Sequence, residues 1–479
     1  MVRTRNSIRP PPEAAQICSN VTIHSRIAGE KGCSLTVPGQ IETARHADIR
    51  WPAGVRPSDE FASVIGRTRG GGDNLFVTGR AGTGKSTLLR CLKSNLPQKT
   101  AVLAPTGLAA VNVQGQTIHS FFGFPPQLIT AEIVKKSRRA ALFRNIDTIV
   151  IDEVSMVRAD LMQGIDMALR IARKQPAKPF GGVQIVAMGD LHQLPPVVRE
   201  REMIEHFRET FGGVYFFNAP VFQDSPLGLV ELNTVFRQND PDFIEALNGI
   251  REGSPGHNHL DVFNGRVAAF RSLPDCDDYI VLTPINQAAE NTNRIFLDRL
   301  ATKAESFDAI VTGKFEPSAY PTDAALVLKE GSKVVLLRND PDKRWVNGTQ
   351  ARISRIDGRT VWVEIAGDEH ELEPVTWENI RYDHDPDTDK MVESVAGSFR
   401  QLPVRLAWAL TIHKSQGMTL DKVYVDFGRG TFAHGQAYVA LSRARSLNGL
   451  AMARAIYPSD IIFDRNALGY RALFEPLAA

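Results

Sequence analysis

The chain has 479 residues, of which 43% are hydrophobic and 23% charged, and its 56 Lys and Arg residues nearly balance its 54 Asp and Glu residues, giving a net charge of +2. This length exceeds what one hydrophobic core usually supports, so we expect two large domains and a small inserted one, and the balanced charge excludes a uniformly basic nucleic-acid binder. Four scattered cysteines without CxxC spacing exclude a disulfide framework and argue against structural zinc, and no apolar run is long enough to span a membrane.

Residues 1–57 combine arginines and a run of three prolines with isolated polar residues, and they show no sustained amphipathic period. We predict a disordered or loosely attached leader. Its arginine-rich start is similar to a transit peptide, but Glu13 and Glu30 interrupt it and no apolar segment follows, so an upstream-extended leader is an equal alternative. We expect a cytoplasmic, bacterial-type location, with mitochondrial and nuclear locations left open.

A glycine-rich segment, 79–86, lies between an apolar run at 74–78 and leucines at helical spacing in 87–92. Strand, loop and helix in this order predict a phosphate-binding loop, because glycines let backbone N–H groups point at phosphate oxygens and the helix N-terminus adds positive potential. Lys85 would reach the β and γ phosphates of ATP, and Ser86 would hold Mg²⁺. The alternative is a glycine turn with a surface lysine. The predicted nucleotide contacts in this segment are Gly79, Gly82, Thr83, Gly84, Lys85, Ser86 and Thr87.

Short apolar runs at 101–103, 149–151 and 183–188 each end in a polar cluster and alternate with helical stretches. This alternation predicts an α/β domain with a parallel sheet over 58–227. The polar clusters would share one rim, because ligands of such sheets gather at the carboxyl ends of the strands.

A second alternation of strands and helices predicts another α/β domain, formed by 228–302 and 405–479. Between these two parts, the sequence of residues 303–404 has the pattern of short alternating strands separated by turn signals. Asp357-Gly358 between two alternating segments is a strong hairpin signal. We therefore predict a small all-β barrel inserted into the second domain.

Two adjacent acids follow the apolar run at 149–151. Asp152 would hold Mg²⁺ through water, and Glu153 would orient and deprotonate the attacking water; a pair of exposed acids at a strand end is the alternative. Gln193 follows the run at 183–188 and would sense the γ phosphate through its amide. We interpret its neighbour His192 as a satisfied loop histidine.

Two arginines are candidates for stabilising the charge that develops in phosphoryl transfer, an effect typically worth about 10³ to 10⁵ in rate. Arg237 opens the second alternation, and Arg443 shares one helical face with Gln436 and Ala440. We count Gln436 among the nucleotide contacts. For either arginine by itself, a solvated and salt-bridging side chain is the alternative.

Nucleic-acid contacts are predicted in three segments that combine small hydroxyls, histidines and aromatic residues, which suit phosphate, sugar and base contacts. The candidates are Thr106, His119 and Phe121 in the first half of the chain and His413 with Lys414 in the second. Phe121 and its aromatic neighbours could equally be core residues.

Taken in chain order, these segments resemble the motifs of superfamily 1B helicases of the Pif1 family, close to RecD-like enzymes, from about residue 57 to the C-terminus. The most specific part is 160–197, which contains the segment Lys178–Gln184. The resemblance implies two RecA-like P-loop NTPase domains, an SH3-like insertion at 303–404 and a wedge near 112–127 that splits the duplex. It also implies the ATPase roles given above and DNA contacts at Thr106, His119, Pro195, His413 and Lys414.

One departure from the family pattern concerns the base of the nucleotide. Relatives commonly carry a glutamine ahead of the phosphate loop that reads adenine, whereas 57–72 contains none. Purine selectivity therefore stays open.

The resemblance implies an ATP-dependent DNA helicase that moves 5′ to 3′ on single-stranded DNA and opens tailed duplexes in DNA repair, replication or recombination, within a family that includes telomere maintenance. It also implies a monomer when DNA is absent. The alternative is a DNA-stimulated ATPase that displaces bound proteins without productive unwinding. A third hypothesis is a non-catalytic module that binds nucleic acid. The joint presence of Lys85, Glu153 and both arginines argues against it. The preferred DNA structure and any protein partners stay open.

Overall fold

The computed structural model describes residues 46–69, 73–96, 99–137, 139–198, 200–268, 278–388 and 390–477. Most of the predicted leader, residues 1–45, lies outside them. At its described end the leader packs on the first domain, because Ile49 is buried and Trp51 and Val55 contact the same apolar cluster. No helix in the described residues has the length and apolar character needed to cross a bilayer.

The first domain is built on a parallel sheet of short apolar strands, which are buried on both faces as in other helix-covered parallel sheets. Its strands are β1 (Leu75–Gly79), β2 (Thr100–Ala104), β3 (Gln116–Thr117), β4 (Thr148–Ile151), β5 (Gln184–Met188) and β6 (Gly228–Leu232). They lie in the spatial order 6-1-5-4-2-3. Its helices are α1 (Asp59–Arg69), α2 (Lys85–Asn95), α3 (Gly107–Asn112), α4 (Ile118–Phe122), α5 (Ala131–Lys135), α6 (Ala140–Arg144), α7 (Ala159–Arg173), α8 (Arg201–Phe211) and α9 (Val221–Asp224).

The first part of the second domain contains two helices, a strand and a third helix. These are α10 (Pro241–Arg251), α11 (His257–Asn264), β7 (Ile280–Thr283) and α12 (Asn286–Arg299).

The insertion that follows is all-β. Its strands are β8 (Glu305–Asp308), β9 (Ile310–Gly313), β10 (Ala325–Leu328), β11 (Lys333–Leu336), β12 (Gln350–Asp357), β13 (Thr360–Ile365), β14 (Asp368–Leu372), β15 (Val375–Asp385), β16 (Lys390–Gln401) and β17 (Val404–Leu406). Neighbouring strands pair antiparallel, in the orders 14-13-12-11-17, 15-16-9 and 10-8. The hairpin predicted at Asp357-Gly358 is confirmed, because Asp357 pairs with Thr360 and Gly358 has a φ of 58°.

The chain then completes the second domain with β18 (Ala409–Thr411), β19 (Val423–Val425), α13 (Gln436–Leu441) and β20 (Leu450–Met452). Its strands form a parallel sheet in the order 18-7-19-20. The predicted fold class, two parallel α/β domains with an all-β insertion in the second, is confirmed.

The predicted start of the second domain at Gly228 is wrong. β6 pairs with β1 from Gly228 to Leu232 and so belongs to the first sheet. The last described elements, α14 (Arg465–Leu468) and β21 (Glu475–Pro476), also return to the first domain, where β21 pairs with β6. A short apolar run has the same sequence pattern in either sheet, so only its pairing with a distant strand shows which sheet it belongs to.

The segment 112–127, predicted as a wedge, contributes mostly to the first domain's core. It contains β3 and α4, and Phe122 and Phe124 are buried together with Ile118. A few of its residues, including Asn112 and Gln127, are exposed. The wedge role remains a prediction that would rest on these exposed positions.

Candidate nucleotide site and nucleic-acid interface

The phosphate-binding loop joins β1 to α2 as predicted. Gly82 and Gly84 have φ values of 87° and 84°, a left-handed conformation that favours glycine. The Lys85 ammonium lies at the start of α2 and donates hydrogen bonds to the carbonyls of Gly79 and Arg80 at 2.6 and 3.1 Å. Burial lowers the pKa of Lys85, and the nearby carboxylates of the site partly offset this shift. The lysine is thus held against its own loop, where nucleotide phosphates could replace the two carbonyls.

The hydroxyl-bearing residues of this loop are presented differently. Thr83 is fully buried and its hydroxyl donates to the Arg80 carbonyl at 3.0 Å, so it can offer a nucleotide only its backbone. Ser86 is exposed, whereas the Thr87 hydroxyl accepts a 3.5 Å hydrogen bond from Arg90. Of the three side chains, the hydroxyl of Ser86 is the one open to a ligand.

The two predicted acids follow β4, which places them near the phosphate loop. Burial raises the pKa of Asp152 to about 6, and burial together with the charge of Asp152 raises that of Glu153 to about 7. Lys85 counteracts both shifts. Glu153 has a φ of 50°, uncommon for a residue with a side chain. A carboxylate with a pKa near neutrality is suited to act as a general base.

A chain of amides connects Glu153 to both domains. Gln416 of the second domain donates from Nε2 to Glu153 Oε2 at 3.0 Å and to Gln193 Oε1 at 3.3 Å. Gln193 in turn donates to Asp190 Oδ2 at 3.3 Å. The sequence does not predict this role for Gln416, which lies just beyond His413 and Lys414, two residues predicted to contact DNA. The signal that could have found it is a polar residue just beyond a core strand of a parallel sheet.

Both predicted arginines lie where the two domains meet. Arg443 is buried and Arg237 is half-buried, so neither is a fully solvated side chain. Arg237 donates to the Ser442 carbonyl at 3.1 Å, and a Cβ placed on Gly82 would lie 2.6 Å from the Arg237 Cβ. Arg443 is 1% exposed and donates to the Val439 carbonyl at 2.8 Å. Burial lowers the pKa of Arg237 to about 9 and that of Arg443 to about 10. The bonds to neutral oxygens leave both charges available to an anionic ligand.

Helix α13 touches the phosphate loop directly. The Ala81 N–H donates to the Tyr438 hydroxyl at 2.8 Å, a contact between the domains that the sequence did not reveal. Gln436, predicted as a nucleotide contact, is fully buried and accepts from the Phe432 N–H at 3.0 Å. Its Nε2 has no hydrogen-bond partner among the described residues. The amide nitrogen of Gln436 therefore keeps both of its N–H donors free in a buried position.

The predicted DNA contacts are distributed over both domains. Thr106 is exposed and caps α3 by accepting from the Ala109 N–H at 3.3 Å. His413 and Lys414 are exposed residues, but neighbouring groups partly desolvate their ring and ammonium, which lowers the pKa of both. His119 and Pro195 are half-buried. These positions can accept a phosphate backbone, but the structure does not bring them into one contact cluster.

The prediction that Phe121 stacks on a base is wrong. The ring is fully buried, and its centroid lies 5.0 Å from that of Phe122, 5.8 Å from that of Phe143 and 5.9 Å from that of Tyr382. Tyr382 belongs to the long hairpin of the insertion, so Phe121 joins the insertion to the first domain. Phe121 is therefore a core residue, which was the alternative given for it from the sequence.

Two parallel α/β domains that meet over a phosphate loop, paired acids and two arginines define the RecA-like class of two-domain P-loop NTPases. The family model for PIF1-like helicases matches residues 60–255, and a second helicase model matches 398–458. ATP-dependent DNA helicase Pif1 of Bdellovibrio bacteriovorus is 32% identical over 432 residues, which cover 88% of this chain and 92% of that protein. The chain therefore belongs to the Pif1 helicase family.

The chain matches other relatives over most of its own length. ATP-dependent DNA helicase PIF1 of Mus musculus is 35% identical over 445 residues, covering 86% of this chain, and the chain spans only 64% of the mouse protein. The crystal structure of Bacteroides sp Pif1 in complex with ADP-AlF4 has 35% sequence identity and a TM-score of 0.80, covering 87% of this chain and 96% of that one. Bacteroides Pif1 bound to ssDNA has a TM-score of 0.59 at 35% identity, covering 86% and 96%.

Proposed function

We propose that this protein is an ATP-driven DNA helicase that moves 5′ to 3′ along single-stranded DNA and opens tailed duplexes. The proposal is carried by the hydrogen bonds that Gln416 of the second domain donates to Glu153 and Gln193 of the first, beside the buried Arg443 and the half-buried Arg237. This arrangement makes the hydrolytic site dependent on how the two domains meet. The relatives named above as ATP-dependent DNA helicases, and the one solved with ssDNA, support the same activity.

The chain offers suitable donors for a magnesium ion that arrives with the nucleotide. No cluster of three or more His, Cys, Asp or Glu within the described residues could hold a metal alone. Ser86 contributes an exposed hydroxyl and Asp152 a carboxylate whose pKa is raised by burial, so that a bound cation would favour its ionised form. Magnesium is commonly held by one or two protein oxygens together with water and substrate phosphates, so these residues fit it. The ion would neutralise charge on the phosphates.

Hydrolysis would use groups from both domains. Glu153 would accept a proton from the attacking water at a carboxylate oxygen, and Gln416 would hold the other oxygen in place. Arg237 and Arg443 would stabilise the charge that develops on the transferred phosphoryl group. Because Arg443 and Gln416 belong to the second domain, a change in the bound nucleotide would alter how firmly the domains are held together.

Single-stranded DNA would lie across both domains, contacting Thr106, His119 and Pro195 of the first and His413 with Lys414 of the second. Alternate opening and closing of the cleft would then move the strand. Each step must overcome base stacking of about 1.4 kcal/mol per base pair, which the energy of hydrolysis can supply.

Unwinding of matched duplexes with only a 5′ or only a 3′ single-stranded tail tests the proposal, with Lys85→Ala as the blank. We expect strand separation that needs ATP, occurs on the 5′-tailed duplex and is absent from Lys85→Ala. Separation from the 3′ tail would overturn the polarity. ATP hydrolysis that releases streptavidin from a biotinylated strand without opening duplexes would replace the helicase with a protein-displacing motor.

A further inference from the structure

A buried ion pair joins the two domains beside the hydrolytic site. Arg251 is the last residue of α10 in the second domain, and Asp190 follows β5 in the first. Arg251 Nη2 lies 3.0 Å from Asp190 Oδ1, and the two side chains are 1% and 0% exposed. Burial by itself would raise the pKa of Asp190, but Arg251 and Lys85 hold that pKa well below its usual range. The pair is therefore fully ionised and out of contact with solvent.

Burying two charges is expensive, and apolar residues in the same place often stabilise a fold equally well. The surroundings of Arg251 would permit such a replacement, because its neighbours Leu247 and Ile250 on α10 belong to the apolar core of the second domain. An ion pair kept in this setting calls for a role other than stability.

The position of the pair supplies that role. Asp190 Oδ1 also accepts from the His192 N–H at 3.2 Å, and Oδ2 accepts from Gln193 Nε2 at 3.3 Å. The carboxylate can only accept, so it orients the Gln193 amide with its nitrogen toward Asp190 and its oxygen toward Gln416. Gln416 can then donate to both Gln193 and Glu153. An unbroken series of polar contacts therefore runs from Arg251 to the predicted general base.

We propose that Arg251 is a positioning residue for ATP hydrolysis. Arg251 holds Asp190, and Asp190 orients the Gln193 amide. Gln193 in turn orients Gln416, which holds Glu153. The series is complete only while the two domains are in contact. This inference rests on the proposed ATPase. Arg251 touches neither nucleotide nor DNA in this scheme, so its loss should lower the rate of the chemical step and leave nucleotide affinity nearly unchanged.

The test compares Arg251→Met, Arg251→Lys, Gln193→Ala and the double variant Arg251→Met with Gln193→Ala. ATPase kcat and KM are measured with saturating single-stranded DNA, and folding is followed by thermal unfolding. Arg454→Met is the matched control, because it breaks an ion pair of 2.7 Å to the nearly buried Asp460 inside the second domain, and neither residue belongs to the series of contacts from Arg251 to Glu153.

We expect Arg251→Met to lower kcat by about tenfold or more with KM within about twofold, and Arg251→Lys to recover part of the loss. The double variant should be no slower than the slower single variant, since both changes break one series of contacts. Arg454→Met should retain a kcat within about twofold of the unaltered protein.

Unchanged kcat in Arg251→Met, or strictly additive losses in the double variant, would overturn the inference. If Arg251→Met does not fold, Arg251→Lys combined with Gln193→Ala completes the same cycle and decides it in the same way. Absence of ATP hydrolysis in the unaltered protein would overturn the proposed function itself, an outcome visible before any variant is compared.

Discussion

The ATPase activity is expected to fall as the pH is lowered through about 7, because burial raises the pKa of Glu153 from 4.5 to about 7. A general base acts in its ionised form, so protonation below this pKa removes activity. For a single group with a pKa of about 7, the ionised fraction is about 0.9 at pH 8 and about 0.1 at pH 6. The predicted fall in kcat/KM over that interval is therefore about tenfold. A glutamate with its ordinary pKa would leave the rate almost constant.

The hydrogen bond from Gln416 allows the titrating group to be identified. This amide donates to Glu153 Oε2 at 3.0 Å and so favours the ionised carboxylate. Gln416→Leu removes a hydrogen bond worth about 1.5 kcal/mol, which corresponds to a rise of about one pKa unit. The acid limb of the pH profile should move from about 7 to about 8, while activity at higher pH is partly retained.

The assay is the initial rate of ATP hydrolysis at low nucleotide concentration and excess magnesium, since kcat/KM reports the pKa of the free enzyme. Gln350→Leu is the control. The Nε2 of Gln350, in the insertion, donates to the Lys422 carbonyl of the second domain at 3.2 Å, and loss of this bond should leave the pH profile unchanged. Titration of the nucleotide itself affects all three proteins equally. A midpoint that does not differ between the unaltered protein and Gln416→Leu would refute the reasoning.

Three further outcomes are expected. Glu153→Gln should abolish turnover yet raise the unfolding temperature more at pH 8 than at pH 5. Burial raises the folded-state pKa above the unfolded value, so the ionised carboxylate destabilises the fold increasingly as the pH rises from about 4.5 to about 7. Phe121→Ala should lower the free energy of unfolding by about 3–5 kcal/mol, measured with denaturant, and leave the DNA affinity of the folded fraction unchanged. Lys414→Ala should weaken single-stranded DNA binding and reduce its logarithmic salt dependence by about 0.7, measured by fluorescence anisotropy.

Features encoded by neighbouring residues could be predicted from the sequence. The phosphate loop depends on glycines at positions with positive φ, and the insertion hairpin depends on Gly358 in the same way. The acids and Gln193 follow strands of one parallel sheet, so their shared rim followed from the sheet alone. In each case the signal and its structural consequence lie within a few residues of each other.

Features that depend on distant pairing could not be predicted. Gln416 contacts Glu153 across 263 positions, and Arg251 contacts Asp190 across 61, so no local pattern marks either contact. Phe121 shows the same limit, because an aromatic residue beside hydroxyls and a histidine looks the same whether it faces DNA or a hairpin from the insertion. The assignment of β6 failed because its partner lies in the earlier part of the chain.

The return of the chain to the first domain affects how the protein is synthesised. Tyr470 and Phe474 pack on Phe76, with ring centroids 5.7 and 5.1 Å apart, and β21 covers the outer edge of β6. While the chain is still emerging from the ribosome, that edge and the apolar surface around Phe76 stay uncovered until about residue 476 has been made. The second domain can therefore complete its core first, and the domain that begins earlier in the sequence finishes folding last.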